Sequence, residues 1–406
     1  MGIEDQRSLH VVIAEFRQRN DWQAIRNLVP IDNLRTQRSL WDDPKTLSEI
    51  AFACAKLSET SSNDLRGLRS DRARLEQFLK QQAVYRSESE LLRERCIALA
   101  PDRPGYRSDL AYLHFQNAQE LTQPGGRRDG NARDEATRAL ELYEEALRIQ
   151  PERIQDLYRA GYLLAELKPR LAKTAARHAG DLAAANLQRE REGGMSFLSR
   201  AIATWEALPA TSEYRRRYRK EYVKALYHAG KCRYEMLYSD WDDAIYALEI
   251  ETLDAPSRAR TNDVQLANAR EASRLFAQCW AYDRDTEPAA GSNPPFDGVY
   301  EAVEKLYWLG KVKFAEYWIL SHGGTHTSQT ASTAREQALK CYERALSTPR
   351  SSANARKHKK LRGRETRASV HHLRRVRQGF RGDRAALRAT RPPRPVHNQH
   401  AWYVLR

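Results

Sequence analysis

A short phrase of small and aromatic residues recurs along this chain at helical spacing, and it leaves few folds open. Ala139, Tyr143, Ala146, Leu147 and Pro151 read A-x3-Y-x2-A-L-x3-P, and Ala338, Tyr342, Ala345, Leu346 and Pro349 nearly repeat them. Ala201-x3-Trp205-x2-Leu208 and Ala272-x3-Phe276-x2-Cys279 are looser copies, and Cys96 with Pro101 reproduces the end of the phrase. A second phrase accompanies the first: Leu157-x2-Ala160-Gly161-x2-Leu164, Leu226-x2-Ala229-Gly230-x2-Arg233, Leu306-x2-Leu309-Gly310-x2-Lys313 and Leu47-x2-Ile50-Ala51-x2-Cys54. Spacings of three and four residues put each set on one face of a helix. A Gly or Ala where two helices cross lets their backbones approach, and an aromatic on the facing helix fills the space beside it. One such hairpin cannot hide its apolar faces alone, so hairpins stack.

The rest of the chain agrees with an all-α fold. Ala, Leu, Glu and Arg dominate, and nothing reads as a sheet. Two short helices are predicted within 9–29, joined at Asn20-Asp21. Asp43 before Pro44 has the form of a helix start, an acidic cap with proline in the first turn. A long helical pattern runs from about Asp64 to Ala100 and stops at Pro101-Asp102-Arg103-Pro104-Gly105, a strong breaker. The next is predicted around Leu110–Leu121.

These phrases resemble the tetratricopeptide (TPR) repeat family, in which helix A carries a small residue at its crossing with helix B and helix B carries small–aromatic–small knobs before a closing proline. The resemblance spans roughly residues 45–349 and implies a helix-hairpin solenoid of TPR-like repeats. It departs from the family in spacing: Gly161 and Gly230 are 69 residues apart, but Gly230 and Gly310 are 80 apart. The expected organisation is an N-terminal helical cap over 1–44 and a solenoid over 45–349. Lengthened helices or insertions are expected near 168–194 and 238–268, and a separate tail over 350–406.

That tail carries the charge. Residues 350–406 contain 17 Lys and Arg against only Glu365 and Asp383, so the formal charge of +15 rests there and 1–349 is neutral. A neutral body gives no electrostatic reason to expect nucleic acid along its length. Runs such as Arg356-Lys357-His358-Lys359-Lys360 and Arg391-Pro392-Pro393-Arg394-Pro395 predict a disordered basic arm, with an end translated out of frame as an equal alternative. The N-terminal residues have no apolar core of a secretory signal, Gly2 does not start a myristoylation motif, and no apolar run reaches the ~20 residues of a membrane span. Five scattered cysteines without a CxxC read as reduced core thiols. The expected address is cytoplasmic.

Candidate chemistry is sparse. Ser321-His322-Gly323-Gly324-Thr325-His326 joins two helical segments and lacks the strand-to-helix setting of a nucleophile elbow. Cys341 downstream sits inside a helix B phrase. His371 and His372 are adjacent and cannot chelate from one helix face, and His397 and His400 have no carboxylate or Cys companion. No phosphate-binding glycine loop occurs. No catalytic residue, metal or cofactor is therefore expected, and the chain reads as non-enzymatic.

The TPR resemblance instead implies a groove lined by helix A. Its inward positions would be Tyr158 and Tyr162, Tyr227 and Lys231, and Tyr307 and Lys311, with Lys224, Tyr234 and Phe314 a turn away. Aromatic faces interleaved with lysines suit a protein or peptide partner, an acidic one in particular. The expected function is a protein-interaction scaffold or adaptor. The second reading is a nucleic-acid-associated protein acting through the tail and through 214–222, where Arg215-Arg216-Arg217-Tyr218-Arg219-Lys220 could contact phosphates.

Overall fold

A computed structural model describes residues 3–28, 30–59, 67–68, 71–122, 131–175, 182–237, 255–284, 302–322 and 328–347, and no strand occurs among these described residues. The predicted tail over 350–406, with its five histidines, lies outside them. The chain divides into two compact units, Met1–Leu163 and Leu164–Arg406.

In the first unit, α1 (Ile3–Gln18) and α2 (Trp22–Leu28) meet at the predicted Asn20-Asp21 turn. Asn20 adopts φ 56°, a left-handed conformation that asparagine tolerates. Two short helices, α3 (Ile31–Thr36) and α4 (Arg38–Trp41), lead to α5 (Pro44–Ser58). The start of α5 is built as its sequence suggests: the Asp43 carboxylate accepts from the backbone N–H groups of Lys45 at 3.1 Å and Thr46 at 3.3 Å, and Pro44 opens the first turn. Leu47, Ile50, Ala51 and Cys54 are wholly buried in a core shared with Ile25, Leu34 and Leu92.

The pairing partner of α5 is α6 (Arg72–Leu99), whose Ser89 hydroxyl donates to the Ala51 carbonyl at 2.8 Å. This helix begins later than the Asp64 expected from periodicity, where Asp71 caps it by accepting from the Arg74 N–H at 3.1 Å. The predicted breaker at 101–105 contains the beginning of the next helix: α7 (Pro104–Thr122) opens on Pro104, because a first-turn proline sacrifices no helical hydrogen bond. Helix α7 pairs with α8 (Ala132–Ile149), and α9 (Ile154–Tyr162) packs on α8.

A five-residue π-helical turn, Leu163–Leu167, precedes α10 (Lys168–Ala175) and α11 (Leu182–Glu206). The described part of the expected insertion at 168–194 is thus helical, whereas 238–254 lies outside the described residues. After the short α12 (Glu213–Arg217) come α13 (Arg219–Leu237), α14 (Ala255–Arg284), α15 (Ala302–His322) and α16 (Ser328–Ser347). Within the second unit α11 packs on α13, α13 on α14, α14 on α15 and α15 on α16, the neighbour-to-neighbour order of a helical-repeat-like architecture.

The recurring phrases form much of the core of this architecture. Tyr143, Trp205, Phe276 and Tyr342 are buried to 1% exposure or less, and so are Ala139, Ala201, Ala272 and Ala338, each four residues before. The small residues meet the rings as the crossing argument requires. A Cβ on Gly230 would lie 3.1 Å from the Phe276 ring, and one on Gly310 would lie 2.7 Å from the Tyr342 ring. A side chain at Gly230 would have to push the Phe276 ring aside, and one at Gly310 would force α15 and α16 apart.

The cysteines belong to the same interior. Cys54, Cys96, Cys232 and Cys279 are buried, and burial pushes each thiol up to about 12, so they stay protonated at neutral pH. Cys341 alone is partly exposed. A native-state thiol titration with an aromatic disulfide reagent is therefore expected to modify Cys341 first, with the other four reacting only on unfolding. Rapid labelling of all five without denaturant would contradict this packing.

Candidate binding surface

Along α13, Lys224, Tyr227, Lys231 and Tyr234 recur every three or four residues and share one face; Tyr307, Lys311 and Phe314 do the same along α15. The structure brings most of them together. Trp308 of α15 is central: its ring meets Tyr234 edge to face at 5.5 Å, and the ammonium groups of Lys231 and Lys311 lie 5.7 Å and 4.5 Å from its centroid. Lys311 also sits 4.8 Å from the Tyr234 ring and 5.7 Å from that of Tyr307, so three aromatic faces surround one buried cation. Tyr227 is buried and donates its hydroxyl to the Glu304 carboxylate. Phe314 is buried against Ala338 and Tyr342, with Tyr307 beside that cluster. Lys224, Lys231, Tyr234 and Tyr307 remain partly exposed.

Tyr158 and Tyr162 belong to the first unit. There their rings lie 6.4 Å apart, and Tyr162 meets Phe115 at 5.7 Å. The Arg159 guanidinium between them covers the Tyr112 ring at 3.9 Å.

Beneath the α13 face lies a charged cluster that the sequence reading did not single out. Glu166, on the π-helical turn, is buried, as is His228. One carboxylate oxygen of Glu166 bonds the His228 Nδ1, and the other accepts from Lys231 Nζ at 2.6 Å, with Arg170 at 3.6 Å. Burial alone would raise the Glu166 pKa. The charges and hydrogen bonds of His228 and Lys231 outweigh it and hold the carboxyl well below its ordinary range. Glu304 shifts the other way, raised by burial against the opposing bond from Tyr227. A signal for Glu166 did exist, since it is the lone charge in the apolar run Leu163-Leu164-Ala165-Glu166-Leu167.

The site of Glu166 is held by an unusually close crossing. Gly193 and Gly194 of α11 face the π-helical turn, and a Cβ on Gly194 would lie 2.6 Å from the Ala165 backbone nitrogen. π-Helical turns disrupt the regular ladder and commonly accompany functional positions. Here the turn presents a carboxylate that fixes His228 and Lys231 of α13.

The Glu166 carboxylate is committed to His228 and Lys231, and the neighbouring thiols of Cys232 and Cys279 are held protonated. Among the described residues, no group of three or more His, Cys, Asp or Glu side chains is placed to hold a metal ion, and no helix is long and apolar enough to cross a membrane.

The basic stretch 214–222 is partly built into the fold. Tyr222 is buried, stacks on Trp205 at 3.8 Å and donates to Glu206 at 2.9 Å. Arg215 lies over the Trp205 ring at 4.3 Å and donates to the Leu208 carbonyl at 2.7 Å. Tyr214, Arg216, Arg217 and Lys220 are exposed. Of the loop Ser321–His326, residues 323–326 lie outside the described residues, and the Ser321 hydroxyl donates to the Tyr317 carbonyl at 2.8 Å.

Compared with known proteins, the chain matches no family model and no curated protein.

Proposed function

We propose that this protein is a non-enzymatic scaffold of TPR-like helical hairpins that takes a segment of a partner protein on the face shared by α13 and α15. The observation that carries this reading is the array around Trp308. Tyr234, Tyr307, Lys231 and Lys311 are fixed there by ring contacts and by Glu166 before any partner arrives. Holding rings and lysines in place in the free protein reduces the side-chain entropy lost on association. Partly exposed aromatics are also the side chains that most often dominate binding energy.

The full-length chain, used as bait in native lysate with nuclease, is expected to retain a discrete protein. Tyr234→Ala is expected to reduce that capture by about tenfold, the size of effect of losing a modest hot spot, while far-ultraviolet circular dichroism stays helical. Material that disappears with nuclease, or capture indifferent to Tyr234→Ala and Tyr307→Ala together, would defeat the reading.

A further inference from the structure

A second candidate site lies on the opposite side of α15. Leu309 and Lys313 flank Lys311 by two residues each, which places them roughly 160° around the helix from it. They face a cleft of about 530 Å³ walled by α14 and α16, a size in the range of small-ligand and side-chain pockets.

Four cations line it: Arg270 and Arg274, one turn apart on α14, Lys313 on α15, and Lys340 on α16. Two carboxylates brace them without cancelling them. Glu316 accepts from Lys313 at 2.8 Å and pairs with Arg270 at 3.5 Å. Glu271 takes both 2.8 Å bonds of the Arg274 fork, whose remaining nitrogen reaches Gln278 at 2.9 Å. Lys340 is exposed and has no acidic partner among the described residues. Four positive groups against two negative ones leave a local surplus of two, in a body whose residues 1–349 are formally neutral. Between these cations, Leu309 and Ala277 give the cleft an apolar floor.

We infer that this cleft binds a short acidic peptide segment of a partner protein, its carboxylates on Lys340 and Lys313 and an apolar side chain on Leu309 and Ala277. Charge complementarity selects the acidic groups. The lining selects peptide over nucleic acid: it contains no aromatic ring on which a base could stack. The local surplus is also too small for the extended phosphate tracking of a polyanion. Cys341 borders the cleft, its thiol raised by burial.

A fluorescein-labelled peptide of alternating Glu and Leu pairs tests this on the full-length protein, read by anisotropy and by zero-length carboxylate–amine coupling mapped with mass spectrometry. Mapping separates the cleft from the basic residues 350–406. Coupling is expected at Lys340 and Lys313, and Lys340→Glu should weaken its cleft-mapped binding about tenfold, as a lost charge contact does. Lys80→Glu, at an exposed position of α6, should leave it unchanged. The Lys340 site is exposed, so this variant is expected to keep the wild-type melting temperature. Coupling confined to 350–406, equal binding of the Gln-for-Glu peptide, or displacement by a short oligothymidylate would each overturn the assignment. Because Lys340 lies away from Tyr234, failure here leaves the α13–α15 surface standing, and the converse holds.

Discussion

Replacing Glu166 with alanine is expected to destabilise the second unit by about 3–5 kcal/mol, the cost of breaking a buried ion pair from one side. His228 and Lys231 would lose the carboxylate that both contact, and His228 would remain buried beside the Glu304–Tyr227 pair. For a unit of this length each kilocalorie lowers the melting temperature by roughly 2–4 °C, so a drop on the order of 10 °C is expected. The readout is a thermal melt at pH 7 followed by tryptophan fluorescence, since Trp308 stands over Lys231. A loss under about 1 kcal/mol would place the cluster with exposed surface pairs, and would remove its role in fixing Lys231.

The same carboxylate sets an acid limb. Its folded pKa lies below its ordinary value, so its contribution is fully present above the unfolded value and is lost as pH falls through the folded one. The gap in stability between wild type and Glu166→Ala should therefore narrow below about pH 4.5, the range of a free glutamate. Glu304 has the opposite sign: its raised pKa gives a contribution present at low pH and lost as pH rises through the folded value. Glu304→Gln should consequently cost little at pH 7. Glu166 and Glu304 thus respond oppositely to the same titration.

How much of this was legible in the sequence depends on the range of the interaction. Helix starts are local, and Asp43-Pro44 was readable because the cap and the N–H donors it accepts from lie within three residues. The hairpin crossings were readable at longer range because small and aromatic residues recur in phrase, so Gly310 and Tyr342 announce each other. The charged cluster was not readable. Glu166 meets partners 62 and 65 residues away, and it sits on a π-helical turn that rotates side chains out of the 3.6-residue register on which such patterns rely. Lys231 and Lys311 read as lysines aimed into a groove, yet both are held by contacts that only the fold supplies: a carboxylate for one, three aromatic rings for the other. The groove residues must accordingly be tested through Tyr234 or Tyr307, because charge reversal at Lys231 would disturb the interior as well as the surface.

Four glycine-to-alanine substitutions should fall in a fixed order of stability. Alanine is favoured over glycine by about 1 kcal/mol within a helix, so each change would stabilise if space allowed. Space is what differs. Gly105, at the start of α7, has nothing within 4 Å of a new Cβ, and Gly105→Ala is expected to be neutral or to gain up to about 1 kcal/mol. Gly230→Ala brings a methyl to 3.1 Å from the edge of Phe276. A small ring shift can relieve that contact, and a loss below about 1 kcal/mol is expected once helix propensity is offset. Gly310→Ala meets three atoms of the Tyr342 ring within 2.9 Å, and that ring is wholly buried and has no room to retreat. Gly194→Ala is the most severe, because its methyl would stand 2.6 Å from the nitrogen and 2.9 Å from the Cα of Ala165, and backbone cannot rotate away as a side chain can. Overpacking of this kind costs about 1–3 kcal/mol or more, and it would also displace the π-helical turn that carries Glu166. Gly194→Ala should therefore share the steep loss of Glu166→Ala and combine with it less than additively, since both act on one turn. Urea melts of the four variants decide the matter: a Gly194→Ala protein as stable as Gly105→Ala would mean that the two helices do not cross this closely, and the fixed position of Glu166 would lose its cause.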